Sequence, residues 1–244
     1  VTLRPPLREP LLTFLGATAL AAGFFWLGRA VPMVGSYVHL FIAITFLYAP
    51  AAAARLGGQP FDYRDAGLRF DPLGRGAATL AIAVAICFPL FLAAFFLFYG
   101  YTCGPSGAWV MELIGRLPCA TWGGGAGWHL RLPPSFPTLI LHQVVVIALP
   151  EELFFRGYLQ ARLEARWPPR RRVLGASVGW ALVAASLLFA LGHFLVDFNG
   201  QRLSVFFPAL VFGWMRARSG SLAPGIAFHA LCNLFADILH TSAF

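Results

Sequence analysis

Apolar residues run along this chain in long blocks, without the strict alternation of a half-buried strand or the one-sided stripe of a surface helix. The blocks cover about 11–27, 37–54, 77–101, 137–163, 173–195, 203–215 and 222–240. A helix needs roughly 20 residues to cross about 30 Å of hydrocarbon, and most of the blocks approach that length. The alternating segments of roughly 10 residues that mark a membrane barrel are absent from the sequence. Backbone in hydrocarbon must satisfy its own hydrogen bonds. The pattern therefore predicts an all-α fold, a polytopic transmembrane bundle of about seven helices.

The connection over 102–135 is rich in Gly and Pro, with Gly123, Gly124 and Gly125 in succession. Long connections of this kind separate structural units. It divides the chain into an N-terminal three-helix membrane region (1–101), an extracytoplasmic loop (102–135) and a C-terminal four-helix catalytic core (136–244). No internal repeat is visible. The arginines give the orientation. Arg4, Arg8, Arg55, Arg64, Arg69, Arg75, Arg162, Arg166, Arg170, Arg171, Arg172, Arg216 and Arg218 fall on one side of the alternating spans, against Arg29, Arg116, Arg131 and Arg202 on the other. The positive-inside bias puts the first side, and the N-terminus, in the cytoplasm and the C-terminus outside. The block at 11–27 follows two arginines as a signal peptide would, but its length and the spans after it predict an uncleaved first helix. Cys103 and Cys119 share the outward loop, where a disulfide is chemically permitted but no distance is known. Cys87 and Cys232 sit inside apolar blocks.

Composition sharpens this reading. With 59% hydrophobic and 11% charged residues and a mean hydropathy of +0.72, the chain has more apolar surface than a soluble domain of its length can bury. The net charge of +8 comes entirely from arginine, 18 residues with no lysine. Those arginines are spread over short loops between apolar blocks, which excludes a nucleic-acid-binding face. The expected setting is a bacterial inner membrane, with the lipid bilayer as solvent.

The chemistry is sought where lipid penalises polarity. An ionisable side chain at mid-membrane costs about 2.5–3.5 kcal/mol on insertion scales and turns toward a bundle interior or a wet cavity. Glu151, Glu152 and Asp237 lie within spans, with Asp197 at an edge. In the run PEELFFRG at 150–157, Glu152 and Arg156 are one helical turn apart and form a pair on one face. Glu151 is rotated about 100° away and is free to act as a base. Pro150 removes a backbone donor just before the pair. A purely structural Glu–Arg clamp is the plainer reading of the same run. Phe189 and His193 form a one-turn pair in the fifth block, extended by Asp197. His229, Asn233 and Asp237 form a stripe in the last block, with His240 beyond. A lone membrane histidine is usually an interhelical hydrogen-bonding group. Two stripes and an acidic pair on late helices instead predict one shared polar cavity.

This set resembles the CAAX prenyl protease and bacteriocin-processing family (CPBP, also Abi or type II CAAX endopeptidases). The resemblance rests on Glu151, Glu152 and Arg156, then Phe189 and His193, then His229 and Asn233, and spans about 137–240. It implies an intramembrane protease in which Glu151 and His193 activate a water. His229 and Asn233 would stabilise the oxyanion, with Arg156 and Phe189 in support. It implies a membrane-associated or lipidated protein or peptide as partner, with a sorting-type, myxosortase-like member as one version. No cofactor is expected. The metal alternative would use Glu151, His193 and His229 as zinc ligands, although the His-Glu-x-x-His helix of zinc proteases is absent. A non-catalytic immunity or scaffold protein, and a proton relay, are the rival classes. Two motifs are set aside. The run GASVG at 175–179 matches a hydrolase elbow but is expected to open a membrane helix. The run GPSG at 104–107 lies in the outward loop. Depth is the open point, because Glu151 is central in its block, His193 late and His229 early.

Overall fold

The computed structural model describes residues 7–114, 117–124 and 128–244. Arg4, Arg116 and Gly125, singled out above, lie outside the described residues. Seven principal helices follow in order among the described residues: α1 (Arg8–Ala30), α2 (Val38–Leu56), α3 (Leu73–Thr102), α4 (Phe136–Arg166), α5 (Trp180–Asp197), α6 (Phe206–Ser219) and α7 (Ala223–Ala243). The first five are long and apolar enough to span a bilayer. Their outer faces carry Leu20, Ile44, Leu90 and Leu97 to the outside of the bundle. Only a bilayer can cover such surface at low cost, so this is an integral membrane protein. At 14 residues, α6 is about 21 Å long, too short to cross.

One correction concerns the fifth block. It was expected to be helical from 173, but Arg171–Val173 and Ala176–Val178 form a two-stranded antiparallel hairpin and α5 begins at Trp180. Leu174 and Gly175 both take positive φ at the tip, which a right-handed helix cannot contain, so α5 starts beyond them. The GASVG run therefore belongs to this hairpin, and its Ser177 is exposed.

The direction of each helix follows from its contacts. Arg156 donates to the Ala209 carbonyl, Gln160 to the Gly213 carbonyl, and Arg216 pairs with Glu164. The offset is nearly constant, so α4 and α6 run parallel. Phe155 meets Phe189 and Glu151 approaches His193, while Glu152 meets His229 and Gln143 meets Asn233, so α5 and α7 run antiparallel to α4. The sharp α6–α7 turn uses Gly220 at φ +74°, and Arg69 and Ser221 pin it to the α2–α3 loop.

Two chemically different ends result. Glu9, Arg69, Arg162, Glu164, Arg216 and Arg218 gather at one end. At the other, Cys103 and Cys119 form a disulfide and Arg131 bonds Ser242. The main core cluster joins Phe14 of α1, Phe46 of α2 and Ala83 of α3 to Phe154, Phe189, Phe212 and Phe228. The packing is thus continuous across the two sides of the 102–135 connection.

Candidate active site

Helix α4 is irregular where its acidic pair sits. Two π-helical stretches, Gln143–Ala148 and Leu153–Gln160, flank the α-helical turn Leu149–Glu152. Pro150 has no amide hydrogen, so the regular ladder cannot continue through it, and widened turns of this type recur at functional sites. Glu151 and Glu152 lie in the α-helical turn, where neighbouring residues point about 100° apart, and their carboxylates meet different surroundings.

Glu152 points into the dry interior. Its Oε1 accepts from Arg156 Nη1 at 3.0 Å and from His229 Nδ1 at 3.0 Å. Glu152 and Arg156 are 1% exposed. The guanidinium is 4.3 Å from the centre of the Phe189 ring and 4.9 Å from that of Phe212, a doubly stacked cation. The other Glu152 oxygen faces Gly225, where a Cβ would come within 3.4 Å. Gly225 is in the first turn of α7, whose dipole favours a carboxylate.

Glu151 points into a cavity of about 290 Å³. Its Oε2 makes no direct hydrogen bond, and lies 3.7 Å from His193 Nε2 and 3.8 Å from His229 Nε2. Those gaps are too long for a direct bond and suit a shared small hydroxylic group. Both imidazoles are oriented from behind. His193 Nδ1 donates to the Phe189 carbonyl at 2.9 Å, leaving Nε2 toward Glu151. His229 is held through Nδ1 by Glu152 and stacks on Phe212 at 4.7 Å and 14° between planes. Exposure grades across the cluster, from 24% for the His193 side chain through 12% for Glu151 to 6% for His229 and 1% for Glu152. Asn233 lines the same cavity, and its Nδ2 donates to Gln143 at 2.8 Å.

Depth is reconciled by the ends of the helices. Helix α7 begins inside the bundle, because the Leu222 amide donates to the Gly67 carbonyl and its side chain packs on Gly157. His229 is therefore early in its own helix yet level with Glu152. Helix α5 ends at Asp197, soon after His193. The turn that follows brings Asp197 and Arg202, paired at 3.0 Å, to the same cavity.

The stripe on α7 divides. His229 and Asn233 join the cavity, whereas His240 meets Tyr99 of α3 at 3.5 Å. Asp237 is not part of the cavity lining. Among the described residues, no three His, Cys, Asp or Glu side chains are grouped so that they could hold a metal ion.

Several contributors escaped the sequence reading. The Glu152–His229 bond, Gln143 behind Asn233 and Phe212 behind His229 come from contacts between helices. The wall from α1 and α2, including Thr18, His39 and Phe46, does too. Gln143 carried a visible signal, an amide beside His142 in a mostly apolar run. In comparison with known proteins, residues 133–235 fit a family model described as type II CAAX prenyl endopeptidase, Rce1-like. No curated protein and no solved structure matches the chain.

Proposed function

We propose a metal-independent hydrolysis for this cavity, from the match of residues 133–235 to the model of the Rce1-like type II CAAX prenyl endopeptidases, a family of membrane proteases. Its substrate is a peptide bond of a membrane-associated protein or peptide. The observation that carries the reading is the buried, unbonded Oε2 of Glu151 midway between two pre-oriented imidazoles.

A water held by Glu151 Oε2 and His193 Nε2 attacks the carbonyl carbon, and its proton passes to Glu151. The carbonyl π electrons move to oxygen. Doubly protonated His229 meets that oxyanion through Nε2–H, since Glu152 already accepts its Nδ1–H, and the Asn233 amide is the second donor. Preorganised donors of this kind are worth most where water is scarce. Collapse of the intermediate breaks the C–N bond, and Glu151 returns its proton to the leaving amine.

The substrate is proposed from access. The cavity carries its polar side chains, His39, Asp197 and Arg202, toward the disulfide end. A disulfide belongs to an oxidising compartment and an arginine-rich end to the cytoplasmic leaflet. The site thus opens to the extracytoplasmic face of an inner membrane, with the N-terminus in the cytoplasm. That favours a sorting-type enzyme cutting near the outer end of a C-terminal anchor. The test compares membrane-protein C-termini in cells carrying the wild type or Glu151→Gln. New C-termini close to an anchoring segment are expected only with the wild type. Identical sets of termini from the two strains would remove the protease reading.

A further inference from the structure

A second, larger cavity of about 810 Å³ lies on the arginine-rich half of the bundle and shares no lining residue with the first. Its walls come from α3, α5, α6 and the hairpin. Ile86, Val183, Leu210 and Val211 form the apolar length, and Arg166, Arg170 and Arg171 lie at one end. Trp167, Trp180 and Trp214 also line it. The hairpin wall is fixed, since Trp214 Nε1 donates to the Val173 carbonyl at 3.0 Å and Arg218 donates to the Leu174 carbonyl.

We infer that this groove holds an anionic glycerophospholipid, with its phosphate on Arg166, Arg170 and Arg171 and an acyl chain along Ile86, Val183 and Val211. The charge argues for it. Three arginines line the groove without a carboxylate, and among the described residues none of them is in an ion pair. Arg170 and Arg171 are exposed and Arg166 is half-buried, so their guanidinium groups are open to a phosphate, whose oxygens such groups bind bidentately. The tryptophans argue for depth, because indole rings settle where headgroups meet acyl chains. A neutral lipid tail would fill the walls but leave the arginines unanswered. The inference is independent of the protease reading, since it concerns a separate cavity.

Native mass spectrometry of the purified full chain, released from detergent with equal phosphatidylglycerol and phosphatidylcholine, tests it. Each basic residue at a lipid surface supplies roughly a fivefold preference, so retention of phosphatidylglycerol should exceed that of phosphatidylcholine by at least about tenfold. The triple change Arg166→Gln, Arg170→Gln and Arg171→Gln should abolish the preference, while the same three positions changed to Lys should keep most of it. If the glutamine variant fails to fold, Ile86→Trp decides, since it fills the groove with every charge intact and should release the bound lipid. Equal retention of the two lipids by the wild type would overturn the inference. So would an undiminished preference in the glutamine variant, or unchanged lipid retention in Ile86→Trp.

Discussion

Glu151 and Glu152 are chemically identical neighbours that the roughly 100° step between adjacent helical residues sends to different places. Glu152 is enclosed by Arg156, His229 and the first turn of α7, and Glu151 faces the cavity. Their substitutions should therefore separate. Glu151→Gln keeps its shape and partners and should leave thermal unfolding in detergent unchanged, while cutting peptide cleavage by about 10²–10⁴-fold, the range of a lost general base. Arg156→Ala removes the cation from a buried pair and strands Glu152. The expected loss is about 3–5 kcal/mol, read as a clearly lower unfolding temperature as well as lost cleavage. Equal unfolding of Arg156→Ala and wild type would show that the pair does not hold the bundle. A strong zinc chelator in excess should leave the cleavage rate unchanged, since the proposed mechanism draws every donor and acceptor from side chains.

The close approach of α4, α5 and α6 depends on a missing side chain at Gly213. A Cβ there would come within 2.8 Å of Gln160 Oε1 and 2.9 Å of Leu182 Cγ. Gly213→Val should force these helices apart and cost about 1–3 kcal/mol of stability, with cleavage falling as Phe212 shifts behind His229. An unaltered unfolding temperature would contradict that packing. These elements also mark what could be read from sequence. The apolar blocks and one-turn polar pairs were legible because helical periodicity is local, so α1, α4 and α7 were found within a few residues of their ends. The hairpin before α5 was hidden because Val173, Leu174 and Val178 are as apolar as a membrane helix. Only Gly175 carried the opposing signal. Glu152 bonded to His229 was invisible for another reason: the partners are far apart in sequence and meet through the deep start of α7.

The molecule as an assembled bundle has a disulfide-bearing end and an arginine-bearing end, and the proposed function has the cavity open toward the first. Single cysteines placed at Arg202 and Arg170 test that polarity in intact cells. A membrane-impermeant thiol reagent should label Arg202→Cys and spare Arg170→Cys. The reverse labelling would invert the proposed orientation and move access to the cytoplasmic face. The sequence already held this polarity in the distribution of its arginines. It did not hold the contribution of α1 and α2, whose Thr18, His39 and Phe46 close the cavity without any motif to announce them.

The account rests on one water being worked on jointly by Glu151 and His193. A double-mutant cycle on the cleavage rate of a reconstituted membrane peptide, with Glu151→Gln, His193→Ala and the two together, measures that directly. Groups acting as a unit give grossly non-additive losses, so each single change should reduce the rate nearly as much as the double. Losses that multiply independently, or cleavage that survives Glu151→Gln, would contradict it.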